Sequence, residues 1–251
     1  MRKITLLLML LFAINCTIAQ KNKKMNLLIF TKTNGFRHDA IPAAKIAFEK
    51  LAKENKWKIE FSEDSTVFTS QNLAKFNVIV FLLTTGDILN DEQQLAFQKF
   101  IQAGGGFVAV HTGTDTEYKW PWYGELVGAY FIGHPPTQSA NLIIEDRTHL
   151  STKHMDKDTI LWKDEFYSFN KNPRQNVKVL VSLDESSFNV SDQAFLKEKK
   201  LIMGDHPLVW YHEFDGGRSF HTALGHMPEL YEMTFMKKHL TGAVNWAGKV
   251  N

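Results

Sequence analysis

One stretch constrains this chain more than any other: Gly104-Gly105-Gly106-Phe107-Val108-Ala109-Val110-His111-Thr112-Gly113-Thr114-Asp115. A glycine run feeds a short, wholly apolar segment that stops on a histidine and continues in small and polar residues. That pattern reads as a buried strand entering a tight elbow. In α/β proteins the crevice at the carboxyl ends of parallel strands is where ligands bind, and a side chain at a strand-to-helix turn points into it. His111 holds that place. An imidazole there can move protons near neutral pH or ligate a metal, and the plainer reading is a polar cap on a core strand.

The segments around the elbow repeat its rhythm. Leu27-Leu28-Ile29-Phe30 is an apolar strand ending in the polar loop Thr31 to His38. Asp39 is placed to cap a helix carrying Ile41, Ala44, Phe48, Leu51 and Ala52 at helical spacing. Trp57 to Phe61 and Phe76 to Leu83 give two more strands, and Thr84-Thr85-Gly86-Asp87 is a second polar loop. Asn90 or Asp91 caps a helix with Leu95, Phe97, Phe100 and Ile101, which Gly104 stops. This β-loop-α alternation predicts a parallel sheet with right-handed crossovers whose loops share one edge. From Tyr118 the rhythm changes. Ser139 to Ile144, Thr159 to Phe169, Val177 to Leu183 and a hairpin of Pro207 to Phe214 with Arg218 to Leu224 predict added antiparallel strands. The last helix is expected over Glu229 to Trp246, and Ser186 to Lys200 reads as a solvated loop.

Length and composition bound the function. The 251 residues, 44% of them hydrophobic, suffice for one domain with a full core. Arg2 and Lys3 before the apolar run Ile4 to Ile14, then Thr17-Ile18-Ala19, read as a signal peptide over residues 1–19 and predict a secreted or periplasmic domain over 20–251. A lipoprotein signal using Cys16 is the alternative. No later segment is long and apolar enough to span a bilayer. Removing Arg2 and Lys3 turns 29 basic against 27 acidic residues into 27 against 27. That balance argues against nucleic acid or an anionic membrane as partner. With Cys16 the only cysteine, the mature chain has no thiolate nucleophile, and no P-loop or dinucleotide fingerprint calls for a nucleotide cofactor.

The candidate site residues follow from placement. His38, His111, His134, His206 and His226 lie in polar or Gly/Pro-bounded turns, whereas His154 and His239 sit in lysine-flanked sequence read as surface. His212 and His221 read equally well as satisfied sheet histidines. Asp115, four residues after His111, shares a face with it if an α-helix starts at the elbow, and can orient the imidazole or share a metal. Glu165, in an aromatic strand, is expected to have a raised pKa suited to proton donation. An edge-strand charge facing water is its alternative. Arg37 and Arg218 are candidate hydroxyl or anion clamps. Trp120 to Tyr123, and Trp122 above all, together with Trp210, offer aromatic faces for a sugar ring.

Several ordered blocks together resemble one family. They are Gly35-Phe36-Arg37-His38 with Ile41-Pro42, Gly105 to His111 with Asp115, Phe131 with Gly133-His134-Pro135, Asp164-Glu165-Phe166-Tyr167, His206-Pro207 with Trp210 and His212, and Gly217-Arg218 through Thr222-Ala223-Leu224-Gly225-His226. Over nearly the whole mature chain they look like the ThuA-like (trehalose utilisation) family. The resemblance implies a flavodoxin-like, class I glutamine amidotransferase-like three-layer sandwich in which His111 stands where an amidotransferase has its cysteine, so glutaminase chemistry is not expected. It also implies a role with trehalose, related glycosides or their keto-sugar derivatives. Two readings follow. In the first, a histidine/carboxylate cleft processes a small carbohydrate. His111, Asp115, Glu165 and His226 act in catalysis. Arg37, His38, Trp122, His206, Trp210 and Arg218 contact substrate, and His38, His111, His134 and His226 are the metal-ligand candidates, a set suiting zinc or another first-row ion. In the second, the cleft binds carbohydrate without catalysis.

Overall fold

The computed structural model describes residues 25–190 and 201–250. The signal segment, Cys16 and the run Lys197-Glu198-Lys199-Lys200 lie outside the described residues. In chain order the elements are β1 (Asn26–Phe30), α1 (Ile41–Asn55), β2 (Lys58–Ser62), α2 (Ser70–Leu73), β3 (Val78–Leu82), α3 (Asp91–Gln102), β4 (Gly106–Val110), α4 (Pro121–Val127), β5 (Phe131–Gly133), β6 (Gln138–Ile144), β7 (Thr159–Asp164), β8 (Ser168–Phe169), β9 (Lys178–Leu183), β10 (Pro207–Phe214), β11 (Gly217–Thr222) and α5 (Thr234–Ala247).

One nine-stranded sheet runs in the order β2-β1-β3-β4-β11-β10-β9-β6-β7. The five strands from β2 to β11 are mutually parallel. β10, β9, β6 and β7 extend the sheet by antiparallel pairing. The parallel half is the parallel α/β arrangement that the alternation of elements predicts, and the flavodoxin-like sheet that the resemblance implies.

Period-two alternation sorts the core into two layers. Leu27, Ile29, Val108 and Val110 face Ala44, Phe48, Leu240 and Val244 of α1 and α5. Leu28, Phe30, Phe107 and Ala109 face Phe97 and Ile101 of α3. With both faces covered, β3 and β4 have no polar phase. The glycine run lets the layers close. A Cβ on Gly106 would sit 2.5 Å from the Ala247 carbonyl oxygen, so only glycine lets the end of α5 dock there.

Three local expectations are revised. Helix α1 starts one residue beyond Ala40, with Pro42 in its first turn and no side-chain cap, so Asp39 does not cap it. The strand expected over Thr159 to Phe169 breaks into β7 and β8, leaving Glu165-Phe166-Tyr167 as a buried turn. The last helix is two pieces, a 3-10 turn over Pro228–Glu232 and α5. Helix α3 is capped by Asn90, whose side chain and that of Gln93 exchange hydrogen bonds with each other's backbone N–H.

Candidate active site

Four loops meet at the carboxyl edge of the parallel strands, and isolated bridges tie three of them together. Thr33 pairs with Thr85 and Gly86 with Thr116. Buried Glu117 fastens the same corner, accepting from the Ile88 and Leu89 N–H groups at 2.7 Å each and from Gln94 at 2.6 Å. Burial raises its pKa and those backbone donors oppose the rise. At the elbow His111 has φ 59 and ψ −83, a left-handed conformation that an L-residue holds only under surrounding constraint. Two residues on, a Cβ on Gly113 would collide with Ala109, so the turn closes only with glycine. His111 Nδ1 is 2.7 Å from the Ala223 carbonyl, which can only accept. Nδ1 therefore carries the proton, and the Nε2 lone pair faces the cleft.

What faces that lone pair comes from three other places in the chain. His38 arrives from the loop after β1, His226 from the loop after β11, and Glu165 from the break after β7. Ligand-type atoms of His38, His111, Glu165 and His226 all lie within 4.8 Å of one another. Glu165 Oε2 is 3.1 Å from His226 Nδ1 and 3.7 Å from His111 Nε2, and Oε1 is 3.1 Å from His134 Nδ1. The His38 ring stands at 5.0 Å from that of His111 and 5.2 Å from that of His226, edge to face. Tyr167 covers His111 at 4.4 Å.

The electrostatics follow from this crowding. Burial, then the neighbouring His111 and His226, pushes His38 down to about 3, so it is a neutral imidazole with a free lone pair. Burial alone would push the Glu165 carboxyl up, but the imidazoles of His111, His226 and His134 crowded against it outweigh burial and hold the group below the usual carboxylate range. Glu165 is therefore an anion, not the resting proton donor that its aromatic sequence suggests. Its hydrogen bond raises the pKa of His226 against the opposing effect of burial.

The donor set fits a divalent cation. His38 Nδ1 and His111 Nε2 are buried without a hydrogen bond, an arrangement costly unless something shares them, and His226 Nδ1 has the Glu165 carboxylate beside it at 3.1 Å. Three imidazoles and one carboxylate form a first-row set. A four-coordinate shell with ~2.1 Å bonds has edges of roughly 3.4 Å, so the ligand atoms, within 4.8 Å of one another, would need to close by up to about 1.4 Å. In the described residues Glu165 takes the fourth place expected for His134, which instead lies in contact with the far oxygen of that carboxylate, its Nδ1 also 2.9 Å from the Pro135 carbonyl.

Several expected contacts are directed elsewhere. The elbow continues as a 3-10 turn of three residues per turn, which rotates position 115 about 120° from position 111, and Asp115 accepts from Tyr118 Oη at 2.6 Å. Trp122 bonds Asp215 at 2.9 Å in the turn before β11, the opposite end of that strand from His226. Trp210 is core, its indole donating to the Val127 carbonyl at 2.8 Å. Arg218 donates to the Trp246 carbonyl and lies over that ring. His206 engages both ring nitrogens, with Glu185 at 2.8 Å and the Tyr167 carbonyl at 2.9 Å, so it holds Tyr167 in place. Arg37, next to His38, is paired with Glu63 at the rim. His239 is fully buried, not a surface residue. His212 is a satisfied sheet histidine bonded to the Leu126 carbonyl, whereas His221 is buried with neither ring nitrogen bonded.

Two residues that sequence reasoning passed over complete the site. Asp164, buried, accepts from four N–H groups: Trp162 Nε1, and the backbones of Glu165, Gly225 and His226. An acid on the inward phase of β7, two residues after buried Trp162, was its signal. Phe36 stands 67% exposed with its ring edge-on to His38 at 4.8 Å. With Phe131 and Tyr118 it supplies the aromatic surface near the cluster that Trp120 to Tyr123 were expected to give.

The fold and the cleft define a flavodoxin-like α/β protein carrying a histidine/carboxylate cluster at the carboxyl edge of its sheet. This chain belongs to the ThuA family, described as trehalose utilisation, whose model matches residues 26–247. Among solved structures it is similar to a ThuA-like protein from Bacteroides uniformis, at 22% identity and TM-score 0.72, over 89% of this chain and 91% of that one. It is also similar to one from Parabacteroides merdae, at 18% identity and TM-score 0.70, over 90% of each chain. At those identities the likeness carries the fold alone. No curated protein matches the sequence.

Proposed function

We propose that the protein processes a small carbohydrate, a glycoside or a keto-sugar, at the His38, His111, Glu165 and His226 cluster, with a divalent first-row ion held there. The observation that carries this reading is the convergence of three imidazole nitrogens on one carboxylate, in a chain of the trehalose utilisation family. When bound, such an ion polarises a carbonyl or hydroxyl oxygen. The chain's own residues do the rest. Ala223 fixes the His111 tautomer, Asp164 sets the backbones of Glu165 and His226, and His134, half-buried beside Glu165 Oε1, is placed to pass a proton between that carboxylate and a ligand. Phe36 and Phe131 offer flat apolar faces to a sugar ring.

The test is metal titration of the purified protein, with turnover of a panel of glucosides and keto-glucosides before and after chelation. Metal-dependent turnover that falls at least ~100-fold in Glu165→Gln is expected, as for loss of a group acting in the transition state. Saturable sugar binding without turnover would establish the non-catalytic reading instead, and neither metal nor sugar binding would overturn both. The same reading puts the protein outside the cytoplasm after cleavage before Gln20. An intact mass beginning at Gln20 supports export, and a retained Met1 rejects it.

A further inference from the structure

A second cavity, of about 730 Å³, opens between the C-terminal half of α1, the outer side of α5 and the turn at 150–154. His38 precedes the N-terminus of α1, whereas the cavity touches Leu51, Glu54 and Asn55 at its other end. Fifteen helical residues span on the order of 20 Å, so this is not an annex of the histidine cluster.

Its chemistry is one-sided. Lys153, Lys237 and Lys238 line it with Glu54 as the single acid, three positive charges against one negative. Among the described residues the lysine ion pairs are Lys119 with Asp87 and Lys171 with Glu125, so none of the three cavity lysines is neutralised by a carboxylate. Thr241 and Asn245 follow Lys237 at four-residue steps along α5, placing hydrogen-bonding groups on the same stripe. His154 adds two buried ring nitrogens with no partner of good hydrogen-bond geometry. Burial and the adjacent Lys238 both disfavour its charged form.

The wall carrying Lys153 and His154 is fixed in place. His239 Nδ1 holds the Ser151 carbonyl at 3.0 Å, and a Cβ on Gly242 would collide with the Leu150 carbonyl, so glycine is what lets this turn seat against α5. A rigid, roomy concavity with clustered, unneutralised cations and an unpartnered imidazole meets the requirements of a small-molecule site for negative charge.

We infer that this cavity binds a small, multiply charged anion such as a phosphate ester or a compact polycarboxylate. The inference is independent of the metal cluster. The test is calorimetric titration of chelator-treated protein with inorganic phosphate, pyrophosphate and citrate at fixed ionic strength. Saturable one-site binding is expected with a dissociation constant below about 1 mM for the best of them. It should weaken at least tenfold in Lys238→Glu and in Lys153→Glu, two substitutions on separate elements at exposed positions, and persist in Glu165→Gln. Preference for pyrophosphate over citrate assigns a phosphate ligand, and the reverse a polycarboxylate. Absence of saturation up to about 10 mM overturns the inference. So does binding lost in Glu165→Gln but kept in Lys238→Glu, which would move the anion to the histidine cluster.

Discussion

The backbone N–H of His226 donates to Asp164 Oδ1 at 3.0 Å, joining two residues 62 positions apart. Through this bond and the one from Gly225 at 2.8 Å, a single buried carboxylate sets the positions of two cluster members, His226 and its own neighbour Glu165. Burial raises the pKa of Asp164, while His111 and the N–H donors pull against the rise. In Asp164→Asn one acceptor oxygen becomes an NH₂ group facing N–H donors. We expect metal affinity to fall about 10- to 100-fold, as for loss of groups that orient metal ligands, together with a lower Tm. Unchanged zinc affinity by calorimetry would remove Asp164 from its positioning role.

Metal uptake should depend on pH through His226. Its hydrogen bond with Glu165 favours the protonated imidazole, and a metal must displace that proton. Affinity should therefore drop about tenfold per pH unit below the raised pKa of His226, for one proton released. In the metal-free protein the sign is opposite. A raised histidine pKa contributes stability that is complete below its unfolded value and fades as pH rises through the folded one. Calorimetric zinc titrations and Tm measurements of the apo-protein over pH 5 to 9 test both signs. A zinc affinity independent of pH would exclude proton displacement.

His239 contributes to acid stability, as do His38 and His149, whose pKa values burial also lowers. His239 is fully buried, its Nδ1 donating to Ser151 O and its Nε2 accepting from Thr222 Oγ1 at 3.1 Å. Burial pushes its pKa down to about 3. As pH falls below ~6.5 the unfolded chain takes up a proton that the native state refuses, so stability declines toward pH 3, by at most ~5 kcal/mol. Denaturant unfolding of the wild type and His239→Gln across that range should show a shallower acid slope in the variant. Parallel slopes would mean that other groups carry the effect.

Phe36→Ala should weaken carbohydrate binding by roughly fivefold, equivalent to about 1 kcal/mol for one aromatic face. Zinc affinity should be unchanged, because Phe36 touches His38 only by ring contact. Its exposure also predicts a Tm within a few degrees of wild type. Equal sugar affinity in Phe36→Ala and wild type would take the ring out of the binding surface.

The parallel order of β2, β1, β3 and β4 was legible in the sequence from the strand-loop-helix alternation, and β3 and β4 read as apolar runs because both their faces are covered; that β11, expected only as half of an added hairpin, pairs parallel with β4 was not. The elbow at His111 was legible from the apolar run that ends on it. His38 and His226 were identifiable as candidates since both lie in turns just after such runs. The conformation that follows His111 was not, because a 3-10 turn and an α-helix begin with the same small polar residues and differ only in where residue 115 comes to lie.

What the sequence determined by itself was local: the periods of burial, the glycine that closes each turn, and the absence of a thiol at the elbow. What only the tertiary structure decided was which distant side chains share one volume. Trp122 and Trp210 bear the same rings as a sugar platform would, yet both indoles are committed to hydrogen bonds away from the cluster. Glu165 changed from expected acid to anion because three histidines from separate loops surround it. His239 moved from surface to core because its lysine neighbours sit on other faces of the same helix turn. Charge state and exposure belong to the neighbours a residue meets in space, and chain closure over tens of residues, which sets those neighbours, leaves no periodic trace in the sequence.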